Sequence, residues 1–119
     1  MKLAGTISLF LFSFLALAAK KPSASTFDTF YSRSLSSTPI SIDDEGFEEL
    51  AATPRDFSVA VLLTALEAKF GCKLCRDFQS EWDVLARSWQ KGDKKGEGRT
   101  LFTTLDLSNG RATFMKVQL

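Results

Sequence analysis

The sequence predicts a single small α/β domain with a parallel sheet, and three runs of residues carry that expectation. Phe57 to Leu66 is almost unbroken in its apolar character and rich in Val and Leu, the pattern of a strand buried on both faces of a parallel sheet. Beyond it, Phe78, Trp82, Leu85, Ala86 and Trp89 recur at helical spacing and lay an apolar stripe along a helix from Arg76 to Lys91. Thr100 to Leu107 is a second β-branched, apolar run suited to a buried strand. Strands alternating with helices argue for an α/β sheet with right-handed crossovers.

Taken in order, the chain opens on a different material. Met1-Lys2 is a short basic start, Leu3 to Leu17 is nearly all apolar, and Ala16-Leu17-Ala18 fits the small-x-small pattern for cleavage before Ala19. Residues 1–18 therefore read as a secretory signal peptide, too short and too rich in small residues at its end for a bilayer span of about 20 residues. Such a leader delivers the chain to an oxidising lumen, where a disulfide persists. Residues 19–38 are rich in Ser, Thr and Lys with scattered Phe27, Phe30, Tyr31 and Leu35, and read as a flexible N-terminal segment or a short amphipathic helix. The domain proper is expected over 39–119. Pro39 to Ile42 gives a brief strand, Asp43-Asp44 can cap a helix over Glu45 to Ala52, and Thr53 to Asp56 is turn chemistry. Gly92 to Gly98 is a solvated, glycine-rich loop without the spacing of a phosphate-binding loop. Ser108-Asn109-Gly110 turns the chain into a last helix beginning at Arg111. The predicted order is strand, helix, strand, CxxC helix, strand, helix start.

Composition excludes several functions. Fifteen Lys and Arg against 14 Asp and Glu leave a net charge of +1, so no electrostatic case exists for a nucleic-acid partner. The chain has no His, which removes the usual general base, the Ser/His triads and most metal chemistry. No cofactor is called for.

The candidate site is Cys72-Lys73-Leu74-Cys75, which holds the only two cysteines of the chain. A buried strand, a short turn and a helix start place Cys72 at a helix N-terminus, where unpaired N–H groups and about half a positive charge stabilise a thiolate. Free Cys titrates near ~8.5, whereas the first sulfur of a CxxC at a helix start falls to roughly 3.5–7.5. Lys73 and Arg76 add positive charge. Cys75, one turn into the helix, is expected to be more shielded and to resolve a mixed disulfide formed at Cys72. Zinc needs four ligands, and no His or third Cys is present. A c-type haem site needs His where Arg76 stands. A purely structural disulfide is the competing reading, but a loop this short closes little chain entropy and stabilises weakly.

Ile40 to Leu119 resembles a thioredoxin fold, with Phe47-Glu48-Glu49-Leu50 in its first helix and Cys72 and Cys75 as the redox pair. Phe70-Gly71-Cys72-Lys73-Leu74-Cys75-Arg76-Asp77-Phe78, Glu81-Trp82, Leu85-Ala86-Arg87-Ser88-Trp89 and Leu105-Asp106-Leu107-Ser108-Asn109-Gly110 are together similar to the thioredoxin-like redox subunit (gamma subunit type) of the fungal endoplasmic-reticulum oligosaccharyltransferase complex. The resemblance implies an accessory, redox-active subunit of that complex. Its CxxC would form transient mixed disulfides with unfolded, cysteine-containing polypeptides and so assist N-glycosylation, while another subunit transfers the glycan. Its partners would be the other subunits and these clients, in the endoplasmic-reticulum lumen. In the family, four membrane helices follow the domain, so contact with the membrane would come only through helices missing from this chain. Against the family's fold, 39–119 reads as C-terminally truncated, without the last strands.

Two departures bear on mechanism. Thioredoxins carry Trp-Cys-Gly-Pro-Cys, whereas Phe70-Gly71 precede the pair here and Lys73-Leu74 lie within it. Thioredoxins also keep a buried acid six residues before the first Cys, where this chain has Leu66 beside Glu67. Slow exchange suits a polypeptide holder better than a fast reductase. The alternatives are a free-standing soluble lumenal thiol–disulfide oxidoreductase and a binding module with an inert disulfide.

Overall fold

The computed structural model describes residues 22–117. The leader expected over 1–18 lies outside the described residues. The elements are α1 (Pro22–Ser36), β1 (Ile40–Ile42), α2 (Asp44–Ala51), β2 (Ser58–Thr64), a 3-10 turn (Ala68–Phe70), α3 (Lys73–Gly92), β3 (Thr100–Asp106), a second 3-10 turn (Leu107–Asn109) and α4 (Arg111–Lys116). The three strands form one sheet in the order β1-β3-β2, and both pairings are parallel.

Of the two readings of 19–38, a flexible segment or a short amphipathic helix, α1 is the helix. Phe27, Phe30, Tyr31 and Ser34 recur at helical spacing beneath the polar composition, and that stripe is what the helix buries. Phe27 and Phe30 are 4% and 2% exposed, and both belong to the main core with Ile40, Ile42, Leu50, Phe57, Leu101 and Leu105. The C-terminal half of α1 is tied to α3 and the loop after it. Gln90 Nε2 donates to Ser34 O at 2.7 Å, and the Tyr31 hydroxyl donates to Lys94 O at 3.1 Å.

Asp43 caps α2 as expected, its carboxylate accepting from Gly46 N–H at 2.8 Å. The neighbouring Asp44 does something else. It accepts from the N–H groups of Ala112 and Thr113 at 3.3 and 2.8 Å, and from the Thr113 hydroxyl at 2.7 Å, so a side chain of α2 caps α4.

Burial along β3 alternates, with Leu101, Thr103 and Leu105 buried and Phe102, Thr104 and Asp106 half-buried. The first set faces the main core. The second set faces α3, because Phe102 meets Trp82 and Trp89 with ring centroids 5.4 and 6.1 Å apart. Register puts Ala60, Leu62 and Thr64 of β2 on that same face. The expectation that Phe57 to Leu66 is buried on both faces is corrected: Val59 to Leu63 are half-buried and the strand stops at Thr64. Among the described residues β2 pairs only with β3, so its outer edge and one flank of each face stay open. Along the α3 stripe Ala86 is buried and Trp82 half-buried, while Phe78, Leu85 and Trp89 are 41–49% exposed.

Candidate functional site

Both predicted cysteines are brought together, in a disulfide with Cα atoms 5.3 Å apart. Cys72 is the N-cap of α3, and its Sγ accepts from Cys75 N–H at 3.1 Å, using one of the helix's unpaired donors. The chain reaches this cap through the 3-10 turn and Gly71, whose φ of 63° is a left-handed conformation that glycine adopts without a Cβ penalty. Phe70, just before it, lies under two cations, with Lys69 Nζ 5.4 Å and Arg111 Cζ 6.0 Å from the ring centroid.

The charges around the cap differ from the sequence expectation in one respect. Lys73 Nζ is bound to Asp77 Oδ2 at 2.8 Å, so its charge is countered, and Arg76 is the exposed cation left without an ion pair among the described residues. Cys72 and Cys75 are both half-buried. Leu66 occupies the position where an acid was sought, and Glu67 is exposed and paired with Lys69 at 3.5 Å. Asp106 stands opposite Thr64 in the sheet. Its Oδ2 accepts from Leu66 N–H at 3.1 Å, and its Oδ1 accepts from Ser108 N–H at 3.0 Å and the Ser108 hydroxyl at 2.9 Å. Burial pushes its carboxyl up, but these hydrogen bonds outweigh burial and hold it below the usual carboxylate range. The sequence places Asp106 in a strand and among the residues that carry the resemblance, but its partner Leu66, 40 positions away, is beyond the reach of local patterns.

Beside the disulfide is an open groove of about 340 Å³ lined by Leu62, Leu63, Thr64, Cys72, Leu74, Cys75 and Phe78. Leu74, inside the CxxC, is 77% exposed on its rim. The disulfide at the helix cap therefore borders an open, mostly apolar surface. Among the described residues no group of three or more His, Cys, Asp or Glu side chains could hold a metal ion, and no helix is long and apolar enough to cross a membrane.

A parallel α/β sheet whose second strand leads to a CxxC disulfide at the cap of the following helix is thioredoxin-like in class. Within that class the chain belongs to the OST3 / OST6 family, transporter family, whose model matches residues 25–119. It is 31% identical over 81 residues to the Danio rerio dolichyl-diphosphooligosaccharide–protein glycosyltransferase subunit MAGT1, covering 67% of this chain and 24% of that protein. The Homo sapiens protein of the same name is 30% identical over 81 residues, again 67% of this chain and 24% of that one. Subunit 3 of the Saccharomyces cerevisiae glycosyltransferase is 35% identical over 51 residues, 42% of this chain and 15% of that protein. The chain thus spans about a quarter of the length of the first two relatives.

Proposed function

We propose that this chain is the thioredoxin-like redox domain of an accessory subunit of the oligosaccharyltransferase complex, working in the endoplasmic reticulum and holding cysteine-containing polypeptides by mixed disulfides. The family match and the names of the relatives support the complex. The observation that carries the redox part is the Cys72–Cys75 disulfide at the N-cap of α3, opening on an apolar groove. A client thiolate attacks Sγ of Cys72, the Cys72–Cys75 bond breaks, and the electron pair leaves with Cys75 as a thiolate. The client is then bound covalently through Cys72 while its apolar side chains lie on Leu62, Leu74 and Phe78. Return attack by Cys75 on Cys72 releases the client as a thiolate. The helix N-terminus favours a negative sulfur at Cys72 by about 0.3–1 kcal/mol at an exposed site, which supports its action as the attacking thiolate once the pair is reduced.

The test is trapping in cells. Cys75→Ser in the full-length protein removes the resolving sulfur, and its reduced Cys72 thiolate can attack client disulfides without release. Disulfide-linked adducts that vanish with Cys72→Ser are expected. No client and no complex subunit captured through Cys72 would leave an inert thiol and overturn the redox reading.

A further inference from the structure

Four buried side-chain atoms have no hydrogen-bond partner among the described residues: Thr64 Oγ1, Gln79 Oε1, Trp82 Nε1 and Thr104 Oγ1. All four belong to the layer between α3 and the sheet. Thr64 and Thr104 lie on the sheet face that carries Phe102, and Gln79 and Trp82 follow Cys75 by four and seven residues along the inward side of α3. Buried hydroxyls without partners are costly and uncommon, so each asks for a reason. Thr64 alone of the four also lines the groove of the disulfide. It is 2% exposed and ends β2, and the carboxylate opposite it in the sheet, Asp106, is already engaged by Leu66 and Ser108.

We infer that the Thr64 hydroxyl is the hydrogen-bond donor for Cys75 when the disulfide opens, and that it sets how readily Cys72 passes to a client. This rests on the exchange reading above. Cys75 is the sulfur in question because it lies on the side of α3 that Gln79, Trp82 and Ala86 turn to the sheet, the side Thr64 faces. Cys72 Sγ instead already takes the Cys75 N–H. A disulfide sulfur is a weak acceptor, and a thiolate accepts a charge-assisted bond. When a client thiolate bonds to Cys72 and the Cys72–Cys75 bond breaks, the electron pair moves to Cys75, the client sulfur is oxidised and Cys75 is reduced. No outside oxidant is needed. The donor gains its partner only in that product, so it favours the open state over the closed one and makes Cys75 a better leaving group.

The experiment measures the equilibrium of the Cys72–Cys75 pair in the full-length protein against glutathione redox buffers. Thr64→Val keeps the shape and removes the donor, Thr64→Ala removes it with less packing demand, and Thr64→Ser keeps it. The two donor-free variants are expected to be roughly tenfold harder to reduce, a potential about 30 mV more negative for a two-electron couple. The serine variant is expected to stay close to the parent protein. A packing role alone would show as lost stability for Val or Ala without this shift and without rescue by Ser. Wild-type potential in whichever donor-free variant folds overturns the assignment of Thr64. A parent disulfide that never equilibrates with glutathione overturns the exchange reading itself, and Thr64 with it.

Discussion

The backbone N–H of Leu66 donates to Oδ2 of Asp106 at 3.1 Å, joining residues 40 positions apart. The chain leaves β2 at Thr64, and the last carboxylate of β3 catches it two residues later. The same carboxylate takes the N–H and hydroxyl of Ser108 and so shapes the turn into α4. One side chain thereby fixes both chain exits at the carboxyl ends of neighbouring parallel strands, the end of an α/β sheet where sites are built. The CxxC follows directly from one of those exits, so its position depends on a residue that never touches it.

Asp106→Ala should therefore act at a distance. Removing a half-buried charged acceptor of three hydrogen bonds is expected to cost about 1–2 kcal/mol after allowance for solvent at the Ser108 side. Urea unfolding at neutral pH measures it. Amide exchange at Leu66 to Cys72 should rise more than in β1, because the bond lost there anchors the turn.

The dependence of stability on pH follows from three shifted groups. Asp44 is held low by the Thr113 hydroxyl and N–H, against an opposing effect of burial, with lesser help from Ala112 N–H and the charge of Lys116. In Asp106, burial raises the carboxyl but the bonds from Ser108 and Leu66 lower it further. Both folded values lie below the ordinary 3.8, so the stabilisation is complete above that pH and is lost as pH falls through the folded values. Lys116 is raised above 10.5 by its hydrogen bond and charge attraction to Glu48, so its part is complete below 10.5 and is lost as pH rises through the folded value. A thermal-melting profile should be flat around neutrality and fall on both sides, and Asp44→Asn should flatten the acid limb. An acid limb unchanged in that variant would remove Asp44 as the cap of α4.

The cap at Cys72, the strand before it and the helix after it were legible because each rests on local chemistry: a polar turn, an apolar run, a repeat of three and four. What escaped depends on contacts distant in sequence. The scattered Phe27, Phe30, Tyr31 and Leu35 allowed a short amphipathic helix, but the Ser and Thr between them left a loosely held segment equally open, and only the fold shows Phe27 and Phe30 docked in the core. Asp44 read as a cap for its own helix, and only the fold brings Thr113 to it, 69 positions on. The apolar stripe of α3 was legible but not which part of it is covered, because Phe78, Leu85 and Trp89 are as apolar as buried residues yet 41–49% exposed, while Cys75 and Gln79 are half-buried. Apolar character alone does not tell a core from the wall of a groove.

If α1 belongs to the domain, its aromatic residues must carry stability. Phe30→Ala removes a ring that is 2% exposed and is expected to cost about 3–5 kcal/mol. Arg33 Cζ lies 4.9 Å from that ring centroid, so Arg33 also loses a partner. The comparison is Leu35→Ala on the same helix, 61% exposed, which should change the unfolding midpoint little. Equal effects from the two would mean that α1 is not docked through Phe30.

Gly110 shows why glycine must end the Leu105 to Gly110 stretch. A Cβ built there would stand 2.6, 2.7 and 2.9 Å from Cγ, Cδ1 and Cδ2 of Leu105. Flexible side chains often yield to such a clash, but Leu105 is 0% exposed in the main core and has nowhere to move. Gly110→Ala is expected to destabilise by about 1–3 kcal/mol through overpacking. Leu105→Ala alone opens a cavity and costs about 2–5 kcal/mol. In the double variant the new methyl enters the space that Leu105 has left, so the two costs must not add, and the double-mutant cycle should return a favourable coupling above about 0.5 kcal/mol. Additive costs would place the requirement for glycine in the backbone of the turn instead of in its approach to Leu105.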